Sequence, residues 1–355
     1  MDEPLNVHDY ERLAEERLDP AAFAYYVGGA GDESTLRDNV AAYGRWVLRP
    51  RVLVDVSGVT TETSVLGTEV SMPILVAPTA FHRLAHPDGE VATATGAAAA
   101  GTVMCLSTFS TSRPADVAAA APDAVRWFQL YWHPDRGVTR AVVEQAVECG
   151  FRAIVLTVDL PRLGRRERDL RTPLDSADDY GAAVFEEALE PARMTPQLLD
   201  HMVEDSITWR DLEWLRSLTD LPLLVKGVLT AEDALLACEH GAVGVVVSNH
   251  GGRQLDGVAA SLDALSEVVD TVGERCEVLL DGGIRRGTDV LKALALGARA
   301  VLVGRPVLWG LTVDGADGVE RVLELLRAEV ELGLALLGCA SPADVGRGHV
   351  APRAA

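Results

Sequence analysis

Long apolar runs, basic charge and organised cysteines are all scarce in this 355-residue chain. No apolar stretch approaches the roughly 18–20 residues of a membrane-spanning helix, so no membrane partner is expected. Its 32 Lys and Arg face 53 Asp and Glu, for a formal net charge of -21. A nucleic-acid partner needs a basic face, and an anionic membrane repels an acidic one, so neither is expected. The five cysteines, Cys105, Cys149, Cys238, Cys276 and Cys339, are odd in number and scattered. They read as buried thiols in a reducing cytosol and not as a disulfide framework or a zinc site, and no metal is expected. The acidic, polar start MDEPLNVHDYERLAEERLDP lacks the basic and apolar regions of a secretion signal, so a cytoplasmic protein is expected.

What the chain does have is 48% hydrophobic residues, enough for a large core, arranged in eight short β-branched runs. They are PILVA (73–77), VMCLS (103–107), WFQLY (127–131), AIVLTVD (153–159), LLVKG (223–227), GVVVSN (244–249), EVLLDGG (277–283) and AVLVGRP (300–306). Near-continuous apolar runs are the pattern of parallel strands buried on both faces. Helical patterns separate them: Asp88–Ala100, Asp135–Cys149, Thr230–His240, Ser261–Val272 and Thr288–Leu296, with Gly318–Leu337 as the last. Thr230 followed by Asp233 reads as a capping pattern, and Gly297 as a helix stop. Strict alternation predicts an α/β fold, a (β/α)8 TIM barrel. Residues 71–337 form the barrel. Residues 1–70 form an N-terminal helical extension, with helices over Val7–Leu18 and Ala21–Val27, and 1–355 read as a single domain. Strand starts are 21–33 residues apart except between 153 and 223. The excess, 164–208, is an insertion after strand 4, at the active-site face, and is expected to be a lid loop.

Barrel chemistry sits at the C-terminal strand ends. Those ends hold Pro78-Thr79-Ala80, Ser107, Gln129, Tyr131, Thr157, Asp159, Lys226, Ser248-Asn249-His250, Asp281-Gly282-Gly283 and Gly304-Arg305. So many polar groups converging on one mouth imply a large polar ligand. The loops after strands seven and eight, with Arg285 and Arg305 among glycines, suit a phosphate. His250 follows a strand end and precedes Arg253 by three residues, pairing a proton acceptor with a fork for a carboxylate. Asp159 is placed to orient and stabilise the imidazolium. The run Pro161 to Arg168 is cationic, and one arginine facing a substrate is expected. Lys226 is either a Schiff-base nucleophile or a positive charge beside an electron-rich cofactor.

SNHGGRQLDG (248–257), LTVDLPRLGRRERD (156–169), LLVKGVLTAEDA (223–234) and LLDGGIRRGTDVLKALALGA (279–298) together resemble the FMN-dependent (S)-2-hydroxy-acid oxidase/dehydrogenase family. That family includes glycolate and lactate oxidases, mandelate dehydrogenase and 4-hydroxymandelate oxidase. The resemblance runs from about Val7 to the C-terminal helix. It implies that FMN contacts Pro78, Thr79, Ala80, Ser107, Gln129, Thr157, Lys226 and Ser248. Its phosphate would meet Asp281, Gly283, Arg285, Gly304 and Arg305. Lys226 then reads as the charge beside the reduced ring. His250 would be the base, supported by Asp159. Arg166 and Arg253 would bind the substrate carboxylate, with hydroxyl contacts from Tyr25 and Tyr131. The implied product is a 2-oxo acid, with oxygen as acceptor giving hydrogen peroxide, and the implied assembly a homotetramer or homo-octamer. Phe109 stands where glycolate oxidase has Trp. Trp132 and VGRPVLWGL resemble 4-hydroxymandelate oxidases, so an aromatic acid such as mandelate or its 4-hydroxy form is the expected substrate. Alternatives are a dehydrogenase of the family with another acceptor, a peptide-maturing FMN barrel, and a barrel that only binds.

Overall fold

The computed structural model describes residues 3–174, 182–185 and 203–354. Much of the 164–208 insertion, including 175–181 and 186–202, therefore lies outside the described residues, and the lid expectation with it.

The expected runs form one closed parallel barrel of eight strands. These are β1 (Ile74–Val76), β2 (Met104–Ser107), β3 (Arg126–Leu130), β4 (Ile154–Thr157), β5 (Leu223–Val228), β6 (Gly244–Val247), β7 (Glu277–Asp281) and β8 (Ala300–Val303). The ring closes where β8 pairs with β1, Val301 opposite Ile74. Every residue of β1–β4, β6 and β8 is buried, as the absence of polar alternation requires.

Side chains alternate across a strand, so one set points inward. Leu75, Cys105, Trp127, Val155, Leu224, Val246 and Leu279 belong to one apolar cluster, while their neighbours pack against the outer helices. The hairpin of Thr63–Val65 and Thr68–Val70 adds Val65 and Val70 to that inner cluster and plugs the N-terminal end. Two residues beyond the inner apolar layer, the same face carries Ser107, Gln129, Thr157, Lys226, Ser248 and Asp281. The polar residues are thus the top interior layer of the barrel, which strand periodicity dictates.

The helices fall close to expectation: Val7–Arg17, Pro20–Val27, Gly89–Ala99, Arg136–Glu148, Ala231–Glu239, Ser261–Val272 and Gly287–Ala295. Asp19 accepts the Ala21 N–H at 2.8 Å and Pro20 opens its helix, which aims Tyr25 and Tyr26 at the mouth. The Thr230 hydroxyl accepts Asp233 N–H at 3.2 Å. Two expectations change. The last helix starts at Arg305, directly after β8, and not at Gly318. Asp314 and Gly315 (φ +55) leave helical conformation, so the helical pattern in the sequence is strong only after that break. Cys238 and Cys276 are joined, with Cα atoms 6.3 Å apart. One ends a helix and the other precedes a strand, both at the barrel bottom, a meeting that no local spacing announces. Cys105 and Cys339 are buried free thiols, and Cys149 is half-buried.

Candidate active site

The strand ends open into a wide-mouthed cavity. Of the expected residues it is lined by Tyr25, Pro78, Thr79, Ala80, Ser107, Phe109, Tyr131, Arg166, Lys226, His250, Arg253, Asp281, Gly283, Arg285, Gly304 and Arg305. Gln129, Thr157, Ser248 and Asp159 stand immediately behind this surface.

His250 Nδ1–H donates to Asp159 Oδ1 at 2.8 Å. Burial pulls the His250 pKa below its ordinary 6.5, against the opposing pull of Asp159. Burial would raise Asp159, but the facing imidazole brings it below the usual carboxylate value. The His250 shift favours a neutral imidazole, and the Asp159 shift an ionised carboxylate. Nε2 then carries the lone pair and lies 3.4 Å from the Tyr131 hydroxyl, which burial keeps protonated. His250 sits at φ +58, between glycines at φ +63 and +75 and an Asn249 whose side chain accepts Gly252 N–H. A left-handed histidine costs roughly 1–2 kcal/mol. The turn holds it there, and His250 N–H donates to Ser248 Oγ at 3.0 Å.

Lys226 is 4% exposed and pairs with Asp281 at 3.1 Å while donating to Ser248 Oγ at 3.1 Å. Burial would lower its pKa, but Asp281 and Asp159 lift it above the ordinary lysine value. A lysine held charged is a poor nucleophile, which disfavours the Schiff-base alternative. Gln129 Oε1 accepts from Ser107 Oγ and Thr108 N–H, both at 3.2 Å.

Four arginines line the cavity, each donating to carbonyl oxygens. Arg253 donates to Tyr25 O at 2.6 Å and Gly28 O at 2.8 Å, with its guanidinium 4.8 Å from the Tyr25 ring centre. Arg305 donates to the carbonyls of Tyr26, Gly28 and Gly251. Arg166 donates to the Arg253 carbonyl and to Gln254 Oε1. Burial and the neighbouring Arg253 lower the Arg166 pKa to about 10, still charged at neutral pH. The cationic run is thereby sorted: Arg166 turns inward, while Arg162 pairs with Asp205 and Arg168 with Glu33 on the exposed side. Below, Gly282 (φ +101) and Gly283 (φ +78) lead into Arg285, whose guanidinium bonds the Ile284 carbonyl.

Sequence reasoning passed over Leu160, Leu163 and Phe81 on the wall, although Leu160 precedes and Leu163 sits within the arginine-rich run next to Asp159. It also passed over Gln254, which receives Arg166 and donates to the Asp159 carbonyl. Among the described residues no helix is long and apolar enough to cross a membrane, and no cluster of metal-ligating side chains occurs.

A family model described as FMN-dependent dehydrogenase matches residues 14–352. An L-lactate oxidase from Nostoc sp. is 50% identical, covering 96% of this chain and 96% of its own length. Glycolate oxidase 3 from Oryza sativa subsp. indica is also 50% identical, over 97% and 95%. A solved mandelate oxidase superposes with a TM-score of 0.92 at 42% identity, covering 99% of each chain.

Proposed function

The chain belongs to the FMN-dependent dehydrogenase family as an FMN-dependent (S)-2-hydroxy-acid oxidase, and from that premise we propose how its residues divide the work and which acid it prefers. One observation carries the assignment of roles: His250, hydrogen-bonded to Asp159 at 2.8 Å, faces a cavity rich in guanidinium groups.

The residues fit FMN. Gln129 Nε2, Thr157 Oγ1 and Asp281 Oδ1 are buried without a hydrogen-bond partner. Such groups cost about 1–3 kcal/mol each when left unpaired, so a polar ligand that meets them is favoured. With Ser107, Lys226 and Ser248 they would hold the polar edge of the ring, and Pro78, Thr79 and Ala80 would line it. Gly283, Arg285, Gly304 and Arg305 would hold the phosphate, near the start of the helix at Arg305. When bound, FMN supplies a two-electron acceptor.

Arg166 and Arg253 bind the substrate carboxylate, and the Tyr25 and Tyr131 hydroxyls steady the rest of the headgroup. His250 Nε2 accepts the substrate proton, and Asp159 stabilises the imidazolium that forms. Lys226, held charged, would supply positive charge to bound FMN as it takes up electrons. The 2-oxo acid leaves having given up two electrons and two protons: one proton is held on His250, and the other would leave with the electrons to bound FMN. Oxygen, receiving both electrons and both protons, departs as hydrogen peroxide.

The preferred substrate in this reading is mandelate. Tyr131, adjacent to His250, packs on Phe109 at 5.0 Å, and Phe109 on Phe81 at 6.3 Å. Leu160 and Leu163 complete an apolar wall. A phenyl side chain fills such a wall, whereas glycolate leaves it uncovered. Among the described residues that wall carries no polar side chain beyond Tyr131, which favours mandelate over its 4-hydroxy form. A single domain, a homotetramer or homo-octamer and cytoplasmic residence are also part of this proposal. Exposed Val52, Leu53, Leu332 and Leu336 supply apolar surface for assembly, which sedimentation velocity tests.

The test is spectral. Anaerobic flavin bands should bleach on adding (S)-mandelate faster than with lactate, 4-hydroxymandelate or glycolate, and return with peroxide when oxygen enters. Faster bleaching by glycolate would sink the substrate assignment.

A further inference from the structure

Helix Ser34–Ala41 belongs to the N-terminal segment, yet it is bound to the turn that carries His250. Asn39 and Asn249 exchange amide hydrogen bonds in both directions: each Nδ2–H donates to the other's Oδ1 at 2.8 Å. Both side chains are buried. Asn249 Oδ1 also accepts Gly252 N–H at 3.0 Å, and its Nδ2–H reaches the Ala259 carbonyl at 3.0 Å. Asn39 Oδ1 accepts Ser261 N–H at 3.2 Å. These partners fix which way each amide points, so Asn249 Oδ1 requires a donor from position 39.

Asn39 meets the second loop of the site as well. A Cβ placed on Gly283 would lie 2.0 Å from the Asn39 carbonyl oxygen, and one on Gly252 would lie 2.6 Å from the Leu36 backbone. One helical turn therefore touches both the base turn and the glycine loop after β7. The helix start is tied to the same segment, since Asp256 accepts the Ser34 hydroxyl and the Thr35 N–H, each at 2.8 Å.

We infer that Asn39 is a positioning residue for the base. It locks the 249–252 turn against the Gly282–Gly283 loop, keeping His250 in its left-handed conformation with Nε2 toward the cavity. A helix outside the barrel thus sets the register between the proton acceptor and the loop assigned to the cofactor phosphate. This rests on the reading of His250 as base.

Asn39→Asp keeps the volume and the acceptor for Ser261 N–H but sets an oxygen against Asn249 Oδ1. Asn39→Ala removes both amide bonds. Holoenzyme of each is compared with wild type for the limiting rate of anaerobic flavin bleaching, KM, FMN affinity by flavin fluorescence, and folded fraction by circular dichroism. Misplacing a reacting group by about 1 Å costs ~10²-fold, so reduction should slow by roughly 10–100-fold in both variants. KM should move far less, and FMN affinity should weaken. In a His250→Ala background Asn39→Asp should add no further loss, because the group it positions is gone. The inference is overturned by wild-type bleaching in either variant, by losses that merely track the folded fraction, or by an equal loss in the His250→Ala background. Failure of the base reading is distinct: His250→Ala alone would then bleach rapidly.

Discussion

Phe109 gives the sharpest test of substrate choice. Its side chain is 6% exposed, packs against Tyr131 at 5.0 Å and Phe81 at 6.3 Å, and lines the cavity. Phe109→Ala removes the ring that a substrate phenyl would lie on. The lost aromatic pair is worth ~0.5–1.5 kcal/mol. Roughly 50 Å² of apolar contact at ~25 cal/mol/Å² adds about 1.2 kcal/mol. The sum, about 1.7–2.7 kcal/mol, corresponds to a ~20–100-fold fall in kcat/KM for mandelate. Truncation also loosens Tyr131, and that damage falls on every substrate alike. Lactate, whose methyl group reaches little of the wall, is therefore the internal control. The assay is anaerobic stopped-flow bleaching of the flavin with each acid, and the quantity of interest is the mandelate-to-lactate ratio. That ratio should collapse in Phe109→Ala. In Phe109→Trp the added bulk should again penalise mandelate while sparing glycolate. Equal falls for mandelate and lactate would show that the wall does not contact the side chain, and the substrate assignment would fail.

His250→Ala should retain bound flavin but lose at least the ~10²–10⁴-fold that a general base contributes to flavin reduction; near-normal bleaching would refute its role. The pH dependence of kcat/KM follows from a neutral His250. Because burial lowers its pKa, activity should be lost only as pH falls below the ordinary histidine value of 6.5. Asp159→Asn, which removes an upward pull on that pKa, should move the acid limb further down while lowering the plateau, and a limb above 6.5 would contradict this. Arg253→Lys should raise KM, because a single ammonium cannot bond the Tyr25 and Gly28 carbonyls and a carboxylate together; unchanged KM and kcat would count against carboxylate binding there.

The barrel and its upper layer were legible because both obey local rules. Strands buried on two faces read as apolar runs, and a period of two then places Ser107, Gln129, Thr157, Lys226, Ser248 and Asp281 on one inward face. His250 and Arg253 were visible because they share a short turn with two glycines. What could not be read depends on chain-distant partners. The Asn39–Asn249 pair spans 210 residues; Asn249 stands in a strand-end motif, but nothing local to Asn39 marks it as the partner. Gln254 resembles a surface residue until Arg166 and the Asp159 carbonyl are brought to it. The arginine run after strand 4 offered several candidates of equal appearance. The barrel mouth, together with acidic partners such as Glu33 and Asp205, selected Arg166.

The acidic composition acquires its meaning from how the inward arginines are held. Among the described residues, Arg166, Arg253 and Arg305 form no ion pair, and they donate to carbonyl oxygens, five from the backbone besides the Gln254 side chain. A carboxylate partner would satisfy a guanidinium and cancel its charge; a carbonyl satisfies the donors and leaves the charge standing. Tyr25, Tyr26 and Gly28 supply three of those carbonyls, to Arg253 and Arg305, from the end of helix Pro20–Val27, where unpaired carbonyls and the negative end of the helix dipole gather. The helix end thus stabilises a cluster of cations without neutralising them. The outer arginines are treated in the opposite way, with Arg162, Arg168 and Arg286 each placed against a carboxylate. A net charge of -21 and a positive pocket are therefore consistent: carboxylates meet the outer arginines, as well as Lys226 and His250 within, while carbonyls hold the inward arginines, where an anionic acid and an anionic cofactor complete the balance.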